Sequence, residues 1–245
     1  MTASRDLPTP ARALAIAAHP DDVEFQAAAT LAKWAAAGCE VSHLVLTDGS
    51  KGTWDPDEDT AALVVTRQVE QRAAAAALGA TGEVVMLGEV DGELQADLAT
   101  RERVARCIRE LRPDVVLGHD PWKRYRLHPD HRHAGWLAVD GVVAARDPFF
   151  FPEQGLAHHR PDVLLLFEAD EPDHVEDVTG FEQAKVAALL EHRSQFVTTM
   201  GIIEGSPDAD AQREAFRERI LGRLRDAGAP HGLAYAEAFK VVAPL

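Results

Sequence analysis

Ala18-His19-Pro20-Asp21-Asp22 brings an imidazole and two carboxylates together within one short stretch. His19 and Asp22 are three residues apart. On a tight turn or a first helical turn that spacing sets their Cβ atoms roughly 5–6 Å apart on one side, within reach of one metal ion. Asp21 lies between them and points elsewhere, free for another task. A proline and an aspartate near a helix start are also ordinary capping chemistry, so this stretch alone reads as well as a cap. A second stretch, His128-Pro129-Asp130-His131, repeats the format with His in place of the last Asp. Together they offer His19, Asp22 and His131 as two imidazoles and a carboxylate, with Asp21 and His128 left over. Three protein ligands and an open position make up a catalytic zinc site. The same donors describe the facial triad of iron(II) oxygenases, so ligand type leaves Zn²⁺ and Fe²⁺ both open.

The elements that must position these residues alternate along the chain. The apolar run Ala13–Ala17 reads as a buried strand and residues 24–37 as a helix ending at Gly38; Val41–Leu46 is the next strand. Strand, helix, strand is a βαβ unit, and a parallel sheet follows from it. Further strands are expected at Val84–Leu87, Val115–Leu117, Val163–Phe167, Val175–Val178 and Leu233–Val242. Further helices are expected over residues 60–78, 98–111, 130–146, 180–190 and 208–226, the last highly charged and on the surface. The fold class is therefore α/β: one Rossmann-like domain over residues 11–245, its mostly parallel sheet covered by helices on both faces, with residues 1–10 a flexible lead-in. Both histidine-bearing stretches then sit where a strand hands over to a helix, at the carboxyl edge where open α/β sheets bind ligands. A nucleotide-binding reading would need a glycine-rich loop after the first strand; Ala-Ala-His-Pro-Asp-Asp stands there instead, and two aspartates repel phosphate. The usual oxygenases with the facial triad are β-sandwiches or barrels, which this alternation does not resemble.

The pair AHPDD…HPDH resembles the LmbE/PIG-L family of metal-dependent N-deacetylases, and the resemblance spans roughly residues 12–240. Supporting matches are Thr47-Asp48-Gly49, Arg67 with Glu70, Asp91-Gly92-x-Leu94, Lys185…His192-x-Ser194-Gln195 and Ala236-Glu237-Ala238-Phe239. The resemblance implies hydrolysis of an acetamido group on an N-acetylated sugar conjugate, or of a related amide. It implies a metal held by His19, Asp22 and His131, Asp21 as general base, and His128 stabilising the oxyanion as imidazolium or protonating the leaving amine. Asp130 would hold His128 charged through a hydrogen bond. Arg67 would touch substrate or order the Thr47–Pro56 loop, although an ion pair with Glu70 on the helix surface is the plainer reading. Asp91 would bind a sugar hydroxyl, or simply make the turn with Gly92. Two departures stand out. Many members carry a tyrosine two residues before the first His of HPDH; here that residue is Arg126, with Tyr125 one earlier, so a different substrate contact or a shifted loop is expected. Glycines common after HPDD are replaced by Gln26-Ala27-Ala28-Ala29, which changes the pocket rim. His119, at a strand end, is expected behind the site, and Lys185, His192, Ser194 and Gln195 pack near it.

Composition bounds the rest. The chain has 245 residues, 40 acidic against 25 basic, for a net charge of −15. That disfavours nucleic acid and anionic membranes as partners. The two cysteines, Cys39 and Cys107, allow no disulfide framework and no cysteine zinc site, and read as core residues. No run of 18 apolar residues and no signal-like N-terminal segment appears; a cytoplasmic location is expected, with a small-molecule substrate and homo-oligomerisation left open.

Overall fold

The computed structural model describes residues 3–245. Eight strands form one sheet in the order β1-β7-β8-β6-β5-β2-β3-β4: β1 Ser4–Arg5, β2 Arg12–Ala17, β3 Glu40–Thr47, β4 Val84–Glu89, β5 Val115–His119, β6 Val163–Phe167, β7 His174–Asp177 and β8 Ala236–Val242. β2 to β6 pair in parallel, and only β8 runs antiparallel, to both β6 and β7. Six α-helices accompany them: α1 Asp22–Ala36, α2 Thr60–Ala77, α3 Leu98–Leu111, α4 Pro129–Arg146, α5 Glu182–Leu190 and α6 Ala209–Gly228.

Alternation along the central strands builds two cores. Ala13, Ala15 and Ala17 of β2, with Leu117 and Leu165, face Leu31 and Trp34 of α1, Ala74 of α2 and Ala188 of α5. Leu14 and Ile16, with Val116, Leu164 and Leu166, face Val104 and Ile108 of α3 and Leu137 and Val142 of α4. A strand buried on both faces has to be apolar throughout, which is why β2 is a bare aliphatic run. The two long helices before the site have ordinary starts: Asp59 accepts from the Ala61 and Ala62 amides, and Asp97 from Thr100.

Two expectations change. Residues 1–10 are not a loose lead-in over their described part. Ser4–Arg5 pairs with β7, and Asp6 receives Lys33 at 2.9 Å, so backbone pairing and an ion pair tie the segment to the sheet edge. α6 is charged but not merely superficial: Phe216, Ile220 and Leu221 are buried against Val186 and Leu189 of α5. The charge count of the helix hides an apolar stripe. Cys39 and Cys107 are buried and free. Of Phe149–Phe151, Phe149 is exposed while Phe150 and Phe151 pack on the α3–α4 core. Among the described residues no helix is long and apolar enough to cross a membrane.

Candidate metal centre

β2 and β5 are sheet neighbours, with Ala13, Leu14 and Ala15 opposite Val115, Val116 and Leu117. From β2 the chain crosses to β3 on one side, and from β5 to β6 on the other. The order of strands thus reverses between β2 and β5, the crevice where open α/β sheets bind ligands. The two His-Pro-Asp stretches leave these two strands at the same edge. α4 can come close there because of Gly135: a Cβ at that position would lie 2.7 Å from the His119 carbonyl oxygen.

Donor atoms of three side chains converge in the crevice. His19 Nδ1 lies 3.2 Å from an Asp22 carboxylate oxygen and 3.1 Å from His131 Nε2, and His131 Nε2 lies 3.3 Å from the other Asp22 oxygen. Tetrahedral ligands on zinc, at bonds of about 2.0–2.1 Å, stand about 3.3 Å apart. The spacing of the three side chains is that of ligands on one metal ion. Asp91 and Asp130 approach the other ring nitrogen, His19 Nε2, at 3.2 and 3.1 Å, an arrangement that fixes the ring and its tautomer for a ligand at Nδ1. Asp21, Asp22, Asp91 and Asp130 are all buried. Buried carboxylates at this density require cations: Arg67 stands 3.5 Å from Asp21, and His19 and His119 beside Asp22 add positive charge only when protonated.

The electrostatics agree. Burial pushes against an ionised Asp22, but His119 and His19 hold its pKa well below the carboxylate range. Burial opposes a charged His19, yet Asp130, Asp22 and Asp91 raise it well above the usual histidine value; the field that favours a proton there favours a divalent cation equally. For Asp21, burial prevails over Arg67, and with Asp22 nearby its pKa rises to about 6.

Asp21 stands in a left-handed conformation, φ 99°, and its side chain makes no capping hydrogen bond. Such a backbone is costly for a non-glycine residue and needs support. α2 supplies it. Arg67 donates to the Pro20 carbonyl, and Gln71, one turn on, accepts from the Asp21 amide at 3.0 Å, so one peptide unit is gripped at both ends. Arg67 also donates to the Gly49 carbonyl at 2.9 Å. A Cβ at Gly49 or Gly52 would collide with its guanidinium. The expected surface pair of Arg67 with Glu70 does not form. Both are buried; Arg67 orders the loop, and Glu70 accepts from the Ser194 amide and hydroxyl.

The second motif is placed differently from expectation. Asp130 does not hydrogen-bond His128. It is fully buried and turns toward the loop after β4, accepting from the Gly92 and Leu94 amides at 2.6 and 3.3 Å as well as meeting His19. His128 is the N-cap residue of α4, exposed, its ring edge-on to His19 at 4.6 Å. Partial burial and then the charge of His19 lower its pKa, so this environment favours neutral imidazole over the expected imidazolium. Asp91 spends its oxygens on His19 and the Lys51 amide, although it still borders the cleft. Arg126 borders the cleft too, paired with Glu168 at 2.7 Å and against His131 Nδ1. Tyr125, in contrast, is 93% exposed and stands clear of the cleft.

Several residues here went unread in the sequence. Glu168, directly after β6, meets His119 Nδ1 at 3.2 Å as well as Arg126; His119 in turn lies 3.4 Å from Asp22 and stacks on His131. The signal available was position, since Glu168 directly follows β6 as His119 ends β5. Glu24, His43 and Gln71 join His192, which was expected near the site, in a buried network behind Asp21, with Gln71 donating to Glu24 at 2.8 Å and His192 at 3.2 Å from Glu24. Gln71 was visible only as the residue one turn after Arg67.

The site opens into a cleft of about 640 Å³, walled by α1, the Lys51–Gly52 loop, Gln195 and α6. Gln26 borders it while Ala27, Ala28 and Ala29 are buried, so only the first of the replaced glycine positions affects the rim.

Comparison with known proteins agrees with the geometry. Residues 14–142 match the family model described as GlcNAc-PI de-N-acetylase, PIG-L. The diacetylchitobiose deacetylase of Thermococcus kodakarensis is 34% identical over 188 residues, covering 76% of this chain and 70% of that protein. The 4-oxalmesaconate hydratase of Pseudomonas putida is 29% identical over 219 residues, covering 82% of this chain and 83% of the other. Among solved structures, N,N'-diacetylchitobiose deacetylase from Pyrococcus horikoshii, complexed with its inhibitor MPG, superposes with a TM-score of 0.84 at 28% identity, covering 96% of this chain and 85% of that one. With both His-Pro-Asp stretches inside the matched region and the fold shared end to end, the chain belongs to the PIG-L family.

Proposed function

We propose that this chain is a metal-dependent hydrolase that removes the acetyl group from an N-acetylated amino sugar or its conjugate, releasing acetate and a free amine. The observation that carries the reading is the cluster of His19, Asp22 and His131 donors beside the buried carboxylate of Asp21, which accepts no hydrogen bond among the described residues, in a fold shared with diacetylchitobiose deacetylases. The donor set suits Zn²⁺ first and Fe²⁺ second. A divalent cation held there supplies Lewis-acid chemistry, making water easier to deprotonate near neutral pH and an amide carbonyl more electrophilic.

The chain's own residues do the rest. Asp21 accepts the proton of the attacking water; burial raises its pKa to about 6 in the metal-free chain, a cation beside it would lower that value, and in either state it is ionised at neutral pH. Arg67 and Gln71 hold its backbone so that the carboxylate faces the cleft. The water oxygen bonds to the amide carbon, the C–N bond breaks, and the proton passes to the departing nitrogen. His128, neutral and at the rim, donates a hydrogen bond to the developing oxyanion or relays that proton. Asp130 and Asp91 keep the His19 ring fixed.

The test is acetate release from a panel of N-acetylglucosamine conjugates, with chelator-stripped protein and added Zn²⁺ or Fe²⁺. Metal-dependent release is expected. No release with either metal, from protein binding one ion per chain, would refute the acetamide reading. One observation favours a second reading, addition of water to an unsaturated acid: the match to a hydratase over 82% of the chain. Ultraviolet assay of such acids with the same protein separates the two.

A further inference from the structure

α6 carries five arginines, and they divide by the direction they face. Arg213 pairs with Glu204 at 2.8 Å, Arg217 with Glu214 and Glu218 at 3.0 Å, and Arg225 with Glu218 at 3.0 Å. Arg219 and Arg223 are the two that border the cleft. Neither forms an ion pair with any carboxylate among the described residues. Arg219 donates to the Thr199 and Met200 carbonyls and lies over the Phe216 ring. Arg223 donates to nothing among those residues.

In a chain with 40 acidic residues against 25 basic, these two arginines leave positive charge on a wall of the cleft with no carboxylate paired to it among the described residues. The glutamates that line the cleft and its side lobe with Arg223 are already committed. Glu168 is taken by Arg126 and His119, and Glu237 by Lys185 at 2.6 Å. The other cleft cations are committed as well, Lys51 to Glu93 and Arg67 to Asp21 and two backbone carbonyls. Arg219 and Arg223 are four residues apart, on one helical face, and a guanidinium presents a planar fork that matches carboxylate or phosphate oxygens. Arg223 also borders a side lobe of about 190 Å³ that shares Phe25, Gln26 and Glu168 with the cleft. The cleft therefore runs from the metal donors to a cationic wall on α6.

We propose that Arg219 and Arg223 form an anion subsite, and that the substrate carries a carboxylate or phosphate on the part of the sugar conjugate remote from the amide. This rests on the deacetylase reading only for the amide end. Electrostatic selection of this kind appears mainly as partner discrimination and weakens with salt.

The experiment compares N-acetylglucosamine with its 1- and 6-phosphates and with N-acetylmuramic acid, so that phosphate and carboxylate are separate arms. At least one anionic compound is expected to exceed the neutral sugar about tenfold in kcat/KM, chiefly through KM, and to lose the advantage at high salt. Arg223→Glu should abolish or invert that ratio. Arg225→Gln, on the outer face, should keep it; Arg219 is left intact because it anchors the turn at Thr199 and Met200. In parallel, calorimetry compares glucosamine, its 6-phosphate and muramic acid binding to wild type and Arg223→Glu, a readout that needs no turnover. An equal response to neutral and anionic compounds in both arms, or a preference unchanged in Arg223→Glu, overturns the subsite. No hydrolysis of any acetamide sinks the deacetylase reading alone, because the binding arm still decides the subsite.

Discussion

The two His-Pro-Asp stretches share their lettering and differ in almost everything the fold does with it. In the first, helix α1 begins at Asp22, so His19 and Asp21 lie outside the helix and Asp21 can take a left-handed backbone. On the proposed reading, His19 and Asp22 both supply metal donors and Asp21 is left over as the base. In the second, helix α4 begins at Pro129, so Asp130 and His131 are already helical and His128 caps the end. His131 joins those donors, Asp130 turns to the back of His19, and His128 stays at the rim. A shift of two residues in where the helix starts relative to the motif reassigns every role within it. Equal spacing in sequence is therefore not equal function.

That asymmetry can be broken most violently at the equivalent first histidines. His19→Gln should lose the metal and at least about a thousandfold of kcat, whereas His128→Gln should keep one metal per chain, as read by metal analysis of gel-filtered protein, with a loss nearer a hundredfold. Equal metal loss in both variants would show that the two motifs ligate alike. Chelation of wild type should match His19→Gln and be reversed by added Zn²⁺.

The third positions come next. Asp21→Asn should retain metal and lose about 10²–10⁴ in kcat, while Asp130→Asn should act mainly through metal affinity. The wild-type kcat/KM should fall at acid pH as Asp21 takes up its proton, with a midpoint at or below the metal-free value of about 6 because the cation's charge opposes protonation. Its sign in stability is opposite to that of a salt-bridged acid. Burial raises Asp21 from 3.8 to about 6, so the folded state binds the proton more tightly than the unfolded chain, and metal-free protein loses stability as pH rises from about 4 through 6. Denaturant unfolding at neutral pH should find Asp21→Asn more stable than wild type in the absence of metal; an equal or lower stability would mean that the carboxylate is not strained by burial.

Supports around the two motifs should give smaller effects. Glu168→Gln loosens His119 and Arg126, behind Asp22 and His131, and should weaken metal binding about 10–100-fold by chelator competition. Gln71→Met removes the acceptor for the Asp21 amide and should lower kcat about tenfold with KM unchanged. In an Asp21→Asn background the same change should cost almost nothing further, because its effect passes through the base.

Much of this molecule was open to reading along the chain. Bare aliphatic runs of five residues such as Ala13–Ala17 and Val163–Phe167 are too short for buried helices and read as strands covered on both faces. The alternation with helices then forces a parallel sheet whose carboxyl edge collects His19, Asp22 and His131. Those conclusions rest on local periodicity and on rules of chain connection, which a sequence carries in full. Which partner each buried polar group would choose was decided only in three dimensions. Gln71 and Arg67 meet the Pro20–Asp21 peptide from a helix some fifty residues away; Asp130 prefers the Gly92 and Leu94 amides to its neighbour His128; Glu168 joins His119 from the next strand. Such choices minimise unpaired polar groups across the whole interior, so they depend on every neighbouring element at once and leave no mark in local spacing. The pairing of α6's outer arginines and the open faces of Arg219 and Arg223 belong to the same class, since only the packed helix determines which of its charges look into the cleft.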